Sequence, residues 1–142
     1  MFSDSIIDRD TIQAYIETEY RVHGEAPLSL TVGVASEALT ALHRFYRVES
    51  SVFVTACNPF SQQFTDLDNA RRQATLASQL KHQDLFFIDG IGQHLSNQWP
   101  GEPSFLVLGI SREAAKALAI QHGQNAIIWC GLDAVPELVL LR

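Results

Sequence analysis

The stretch from Ser51 to Leu80 constrains the fold of this chain more than any other part of its sequence. Val52–Cys57 is nearly continuous in apolar residues and predicts a buried β-strand. The strand ends at Asn58-Pro-Phe-Ser61, because Pro interrupts strand pairing and Asn and Ser favour turns. A helix is predicted to follow over Asp66–Lys81, because Thr65 followed by Asp68 resembles a capping box. A strand, a sharp loop and a helix N-terminus together present backbone N–H groups and short polar side chains, which favours a ligand site here.

The helix predicted over Asp66–Lys81 has one apolar side at the 3.6-residue period. That side comprises Leu67, Ala70, Ala74, Leu76, Ala77 and Leu80. Asn69 and Gln73 fall on the same stripe, so we expect both amide side chains to face inward. Arg72 flanks the stripe and can therefore reach the preceding loop.

The rest of the chain alternates helical and strand patterns. Helices are predicted over Asp8–Tyr20, after a Ser36 cap, and from a Ser111 cap to Gly123. Further strands are predicted over Leu28–Val32, Asp84–Ile88, Ser104–Ile110, Ala126–Cys130 and Glu137–Leu141. We expect an α/β fold (α+β mixed), in which about four helices flank a mixed sheet of about five to six strands. The length predicts a single globular domain over residues 1–142.

Composition and charge exclude several classes of function. The formal net charge is −6 at pH 7, which disfavours nucleic acid as a partner because binding its phosphates requires clustered Lys and Arg. The apolar runs are far shorter than the roughly 20 residues of a membrane-spanning helix, so we expect no membrane association. The first residues carry acids and lack the apolar region of a secretory signal, so we expect a cytoplasmic protein.

The residue types that commonly bind metals and cofactors are not clustered in this sequence. The five His residues are dispersed, and Cys57 and Cys130 fall on predicted buried strands without metal-ligand spacing. Gly90-Ile-Gly92 lacks the third Gly of a dinucleotide-binding motif. We therefore expect no metal and no cofactor, and two Cys residues that act as small apolar side chains in a reducing compartment.

The order of the elements predicts which strand ends meet. A helix between two strands returns the chain to the edge from which the first strand started. The predicted strands Leu28–Val32, Val52–Cys57 and Asp84–Ile88 are connected in this way, so they should be parallel. The long polar segment Asp89–Pro103 should make the next strand antiparallel, which brings the start of that strand to the same edge. Segments of this length are often functional. The shared edge is thus the expected ligand site.

The candidate site residues are the polar and aromatic side chains that this topology brings to the shared edge. The expected ligand-binding residues are Asn58, Ser61, Asn69, Arg72, Trp99 and Gln124. Glu102 is the candidate catalytic acid or base, because a carboxyl group beside apolar side chains is suited to proton transfer.

Each candidate also has a structural interpretation, which for Glu102 is a solvated or capping side chain. Asn58-Pro-Phe-Ser61 can be an ordinary turn, and Asn69 can satisfy backbone groups of that turn. Arg72 can pair with an acid one turn earlier in its helix. Trp99 can anchor the long segment to the core, and Gln124 can close the last helix. The residues themselves favour neither an enzyme nor a non-catalytic protein.

Five separated motifs resemble one bacterial protein family. They are Tyr20-Arg-Val22, Thr55–Ser61, Asn69-Ala-Arg-Arg72, Trp99–Ile110 and Gly123-Gln-Asn-Ala126. In this order they resemble the family known as domain of unknown function 3293, over nearly the whole chain. The resemblance implies a small bacterial cytosolic protein, and it carries no activity, substrate or catalytic residue.

Two hypotheses of function follow from these observations. In the first, a small polar or anionic molecule binds between the Asn58–Arg72 unit and the Asp89–Glu102 segment. In the alternative, the chain is a non-catalytic interaction or regulatory module. Its C-terminal strand, Glu137–Arg142, would then lie at a sheet edge and pair with a second copy or another protein.

Overall fold

The computed structural model describes residues 4–96 and 100–142. Within these ranges it contains four α-helices, one 3₁₀ turn over Pro59–Ser61 and seven strands in one sheet. The helices are α1 (Arg9–Glu17), α2 (Glu37–Tyr46), α3 (Asp66–His82) and α4 (Arg112–Gln121). The strands are β1 (Thr18–Val22), β2 (Leu28–Leu30), β3 (Ser51–Val54), β4 (Phe87–His94), β5 (Glu102–Leu108), β6 (Ala126–Cys130) and β7 (Pro136–Leu140). The predicted α/β class and the four helices are confirmed.

The sheet has the strand order β2-β1-β4-β5-β3-β6-β7, and all of its neighbouring pairs in the described ranges are antiparallel. The prediction of a mixed sheet of five or six strands was therefore wrong in strand count and in pairing. Strands β2, β3 and β4 do run in one direction, as their connecting helices require. However, β1 lies between β2 and β4, and β5 lies between β4 and β3. The strands of like direction are thus not hydrogen-bonded neighbours.

The additional strand β1 occupies the end of the predicted first helix. That helix was predicted to continue to Tyr20, but it ends at Glu17, and Thr18–Val22 pairs with both β2 and β4. Tyr20 and Val22 are buried whereas Arg21 between them is exposed. The apolar side chains of this stretch therefore fit a strand as well as a helix, and pairing with distant strands decides between the two.

Both ends of the polar segment Asp89–Pro103 are strand. Asp89 to His94 belong to β4, which pairs with β1 and β5 along its length. Gly90 lies where the sheet leaves no room for a side chain. A Cβ atom there would lie 2.4 Å from the carbonyl oxygen of Arg21 and 2.9 Å from Cε2 of Phe53. Gly90 is thus required by close strand packing.

Gly90→Ala is expected to lower the free energy of unfolding by about 2 kcal/mol, because the new methyl group must displace backbone or a buried ring. Gly92→Ala is the matched control in the same strand, since the nearest atom to its Cβ would be 3.7 Å away. We expect the control to change stability by less than about 0.5 kcal/mol. Urea denaturation of both variants measures the difference, and equal effects would contradict the packing at Gly90.

The sheet is covered by helices on both faces. The α3 and α4 side includes Val52, Val54, Leu76, Leu80, Ala115 and Leu118. The α1 and α2 side includes Ile12, Leu30, Leu39, Phe53, Leu106 and Ile128. The side chains of β3 alternate between these two clusters, so β3 is buried on both faces.

Helix α3 packs through a narrower row of side chains than predicted. Its buried residues are Gln73, Leu76 and Leu80, which follow one another at helical spacing. Leu67 is 59% exposed, and Ala70 and Ala74 in the adjacent row are also exposed. The predicted inward position of these three residues was wrong, because a single row of α3 contacts the sheet.

Among the residues that the structure describes, no helix has the length and apolar content required to cross a membrane.

Candidate functional site

The loop after β3 has an unusual backbone. Asn58, Phe60 and Ser61 have positive φ angles of 47°, 56° and 59°. Non-glycine residues seldom adopt this left-handed conformation, and surrounding contacts must hold them in it. One such contact is the hydrogen bond from the Phe60 N–H to the Gly123 carbonyl, at 2.8 Å. The loop is thus anchored to the segment between α4 and β6.

Asn58 is the centre of a hydrogen-bond network. Its backbone N–H donates to Oδ1 of Asn69 at 2.8 Å, and its Nδ2 donates to Oε2 of Glu102 at 2.7 Å. Its Oδ1 accepts from the Phe64 N–H and from Nδ2 of Asn69, both at 2.9 Å. The structure therefore brings together three of the predicted site residues, and Asn58 holds the Glu102 carboxylate in position.

Ser61 lies in a second polar cluster, which sequence reasoning did not identify. Its Oγ and the hydroxyl of Tyr15 share a hydrogen bond. Nδ2 of Asn125 donates to Ser61 Oγ at 3.0 Å and to the Tyr15 hydroxyl at 3.2 Å. Neither Tyr15 nor Asn125 was among the predicted site residues. The signal that could have revealed them is their polar atoms at predicted buried positions, since such atoms require partners.

Gln124 joins the loop to the start of β6. It is buried, and its Nε2 donates to the carbonyls of Cys57 at 3.1 Å and His122 at 3.2 Å. The hydrogen bond to Cys57 fixes the chain that follows β3 beside the end of α4. Gln124 thus has a structural role at the same edge of the sheet as Asn58 and Ser61.

A cavity of about 300 Å³ lies between α1, this loop and the sheet. Its polar lining includes Tyr15, Asn58, Ser61, Glu102, Gln124 and Asn125. Its apolar lining includes Ala14, Phe53, Ile127, Ile128 and Leu138. Pockets for small molecules commonly have volumes of roughly 300–1,000 Å³ and combine an apolar surface with a few convergent polar groups. The cavity is at the small end of that range.

Arg72 and Asn69 are not part of the described lining of this cavity. Arg72 is exposed, and its guanidinium lies over the ring of Phe64, with 4.8 Å between Cζ and the ring centroid. Asn69 contacts Asn58 from the opposite side. Trp99 lies outside the described residues.

A second cavity of about 620 Å³ borders α3 on the far side of Asn58 and Glu102. Gln73 lines it, and Oε1 of Gln73 accepts the Ala56 N–H at 2.9 Å. Nε2 of Gln73 is buried, and no hydrogen-bond partner for it is present in the described part of the chain. Because this nitrogen is covered by protein atoms, it does not present a donor to the second cavity.

The described lining of the first cavity is acidic. Asp10 and Glu102 contribute carboxylates, His94 contributes an imidazole, and the described lining contains no Lys or Arg. Burial raises the pKa of Tyr20, and the charges of Tyr15 and Glu102 raise it further.

Both Cys residues are buried and free. Burial raises the pKa of the Cys57 thiol, and the Glu102 charge adds to this effect. Burial raises the pKa of Cys130 to about 12. Because nucleophilic catalysis requires the thiolate, neither residue is suited to it at neutral pH. Within residues 4–96 and 100–142 no group of three or more His, Cys, Asp or Glu side chains is placed to hold a metal.

The fold and the site define an α/β protein with an antiparallel sheet and a polar-lined cavity at one sheet edge. The chain belongs to the family described as protein of unknown function (DUF3293), whose model matches residues 54–127. The predicted resemblance to this family is therefore confirmed. The matched segment contains Asn58, Ser61, Glu102 and Gln124, whereas Tyr15 on α1 lies before it. No curated protein and no solved structure matches the chain significantly.

Proposed function

We propose that this protein binds a small polar molecule in the cavity enclosed by α1, the loop Asn58–Ser61 and the sheet. The observation that carries the proposal is the convergence of polar side chains from distant segments on one cavity with an apolar base. Tyr15 comes from α1, Ser61 from the loop and Glu102 from β5.

The fixed positions of these side chains support binding. Asn58 orients Glu102, and Asn125 orients both Ser61 and the Tyr15 hydroxyl. Groups that are already held by neighbours lose little conformational entropy when a ligand binds. Glu102 is also the candidate acid or base for any reaction at this site, because its carboxylate lines the cavity.

The geometry favours a polar ligand over the anionic alternative. Arg72 was the residue expected to bind an anion, but it stacks on Phe64 outside the cavity lining. We further propose a bacterial cytosolic location. The family resemblance supports bacterial origin, and the buried free thiols of Cys57 and Cys130 suit a reducing compartment.

Thermal-shift screening against a library of polar metabolites tests this proposal, because a ligand that binds only the folded state raises Tm. We expect at least one chemical class to raise Tm, and Ala14→Phe to abolish that shift by filling the cavity from α1. Ala41→Phe, on the exposed surface of α2, is the matched control and should retain the shift. No shift from any class, or an equal shift in the Ala14→Phe variant, would contradict the proposal.

Protein interaction through β7 is the second candidate function. This strand, Pro136–Leu140, lies at one edge of the sheet. Unpaired backbone groups of an edge strand can accept a strand from another chain. The hydrogen bond from the Gly33 N–H to the Pro136 carbonyl, at 2.8 Å, occupies the start of this edge. Analytical ultracentrifugation tests whether two copies of the chain pair through β7. A sedimentation coefficient that stays at the monomer value at all protein concentrations would exclude the homodimer.

A further inference from the structure

We infer that the ligand of this cavity carries an amide-type group, in which an N–H lies beside a C=O. The C=O accepts a hydrogen bond from the hydroxyl pair of Tyr15 and Ser61, and the N–H donates to Oε1 of Gln124. This inference rests on the proposed function and specifies its ligand class. It follows from the hydrogen bonds that the cavity lining already makes and from the polar atoms that these bonds leave unused.

The hydroxyl pair has one O–H group more than the protein uses. Tyr15 and Ser61 share one hydrogen bond, so one of their two O–H groups is the donor in it. Nδ2 of Asn125 donates to both oxygens and therefore uses only their acceptor sites. The other O–H has no acceptor within residues 4–96 and 100–142. Because both side chains line the cavity, this O–H can donate to a ligand oxygen.

Gln124 supplies an acceptor that the protein also leaves unused. The residue is only 8% exposed, and its Nε2 donates to the backbone carbonyls of Cys57 and His122. Since carbonyls can only accept, these contacts fix the orientation of the amide, and Oε1 has no donor within the described ranges. In the same ranges only Nε2 of Gln73 is both unpartnered and fully covered. Oε1 of Gln124 is therefore accessible from the cavity that this side chain lines.

The unused donor and the unused acceptor lie at the same end of the cavity. Gln124 directly precedes Asn125, whose amide holds the hydroxyl pair, and both residues are part of the lining. A ketone can accept from the hydroxyl pair but leaves Oε1 of Gln124 without a donor. A carboxylate places a second acceptor against it. An amide-type group satisfies both, and a site built to pair a polar group discriminates against analogues that lack the partner.

Calorimetric titration with three probes of nearly the same shape tests this inference. Phenylacetamide has a C=O and an N–H, phenylacetone has only a C=O, and phenylacetate has two acceptors and a negative charge. Their shared phenyl ring suits the apolar base of Phe53, Ile128 and Leu138. We expect phenylacetamide to bind about tenfold more tightly than phenylacetone, because the ketone leaves a buried acceptor unpaired. Phenylacetate should give no measurable binding.

Gln124→Met tests the acceptor. It removes Oε1, so the ratio of the phenylacetamide affinity to the phenylacetone affinity should fall to about 1. Both affinities are measured in the same variant, so a general effect of the lost hydrogen bonds to Cys57 and His122 cancels in the ratio. Gln121→Met makes the same chemical change on the exposed surface of α4 and should keep the wild-type ratio. If circular dichroism shows that Gln124→Met does not fold, the comparison of amide and ketone in the unchanged protein decides.

Variants of the hydroxyl pair test the donor. Tyr15→Phe and Ser61→Ala each leave one hydroxyl, whose O–H is then released from the pair, so each alone should weaken phenylacetamide binding by less than about twofold. The double variant has no O–H left and should weaken it by about fivefold. Phenylacetone uses the same O–H and should lose affinity by the same factor. Tyr46→Phe removes a hydroxyl on α2, outside the described lining, and should change neither affinity.

The outcomes separate this inference from the proposed function. Equal affinities for phenylacetamide and phenylacetone, a folded Gln124→Met variant with the wild-type ratio, or an unchanged affinity in the double variant would each overturn the amide assignment. Library compounds without an N–H beside a C=O, whose Tm shift disappears in Ala14→Phe, would also overturn it, while they support the proposed function. Failure of the proposed function has a different signature, because then neither the library nor any of the three probes gives a response that depends on Ala14→Phe.

Discussion

Replacement of Asn58 by alanine is expected to lower the free energy of unfolding by about 4 kcal/mol. The substitution removes three side-chain hydrogen bonds, to Glu102, Asn69 and the Phe64 N–H. Each is worth about 1 kcal/mol. Alanine also lacks the side-chain amide that helps Asn to adopt the left-handed conformation, and the φ of 47° at this position then costs about 1 kcal/mol more. Urea denaturation measures the change.

Two further variants separate the backbone and side-chain contributions of Asn58. Asn58→Gly adopts the left-handed conformation freely, so it should be more stable than Asn58→Ala by about 0.5–1 kcal/mol. Asn58→Asp keeps an acceptor for the Phe64 N–H but places a second carboxylate beside Glu102, 2.7 Å from the present Nδ2. Its stability should therefore rise as the pH falls and one carboxyl becomes protonated. A loss below about 1 kcal/mol in Asn58→Ala would show that the network does not organise this loop.

Leu80→Ala is expected to lower the free energy of unfolding by about 3 kcal/mol. Leu80 is completely buried between α3 and the sheet, so its truncation leaves a cavity that the surrounding side chains cannot fill. Leu67→Ala makes the same chemical change at the start of the same helix, where Leu67 is 59% exposed. This control should change stability by less than about 0.5 kcal/mol.

The ratio of these two effects tests which row of α3 contacts the sheet. Urea denaturation with a common m-value provides the comparison. A large loss in both Leu67→Ala and Leu80→Ala would support the broad apolar face predicted from the sequence. The expected result supports the narrower row through Gln73, Leu76 and Leu80.

The helices and strands that were predicted most accurately are those with a local signal in the sequence. Ser36, Thr65 and Ser111 were predicted as caps or parts of a capping box. Their hydroxyls accept the N–H groups of Leu39, Asp68 and Ala114 at 3.0–3.1 Å. Such hydrogen bonds span three residues, so they depend little on the rest of the fold. The helix after Thr65 was predictable for the same reason, and the strand after Ser51 was predictable from its nearly continuous apolar run.

Strand direction made part of the site predictable. A connecting helix makes the next strand run in the same direction, and the polar segment before β5 reverses that direction. The end of β3 and the start of β5 were therefore expected at one edge of the sheet. Asn58 and Glu102 are accordingly in direct contact. The neighbours of each strand were not predictable in this way. Pairing depends on which distant strands fit together, and β5 lies between the two strands that were expected to be adjacent.

Periodicity, caps and chain reversals act over short distances, so they sufficed to predict the α/β class, the positions of most elements and the edge at which Asn58, Glu102 and Gln124 meet. Tertiary structure alone decided that Thr18–Val22 is a strand, that Arg72 lies outside the cavity and that Tyr15 contacts Ser61. These outcomes depend on hydrogen bonds and packing between residues far apart in the chain. The free energy of such contacts exceeds the intrinsic preference of a short segment for helix or strand. The contacts themselves produce no pattern in the local sequence.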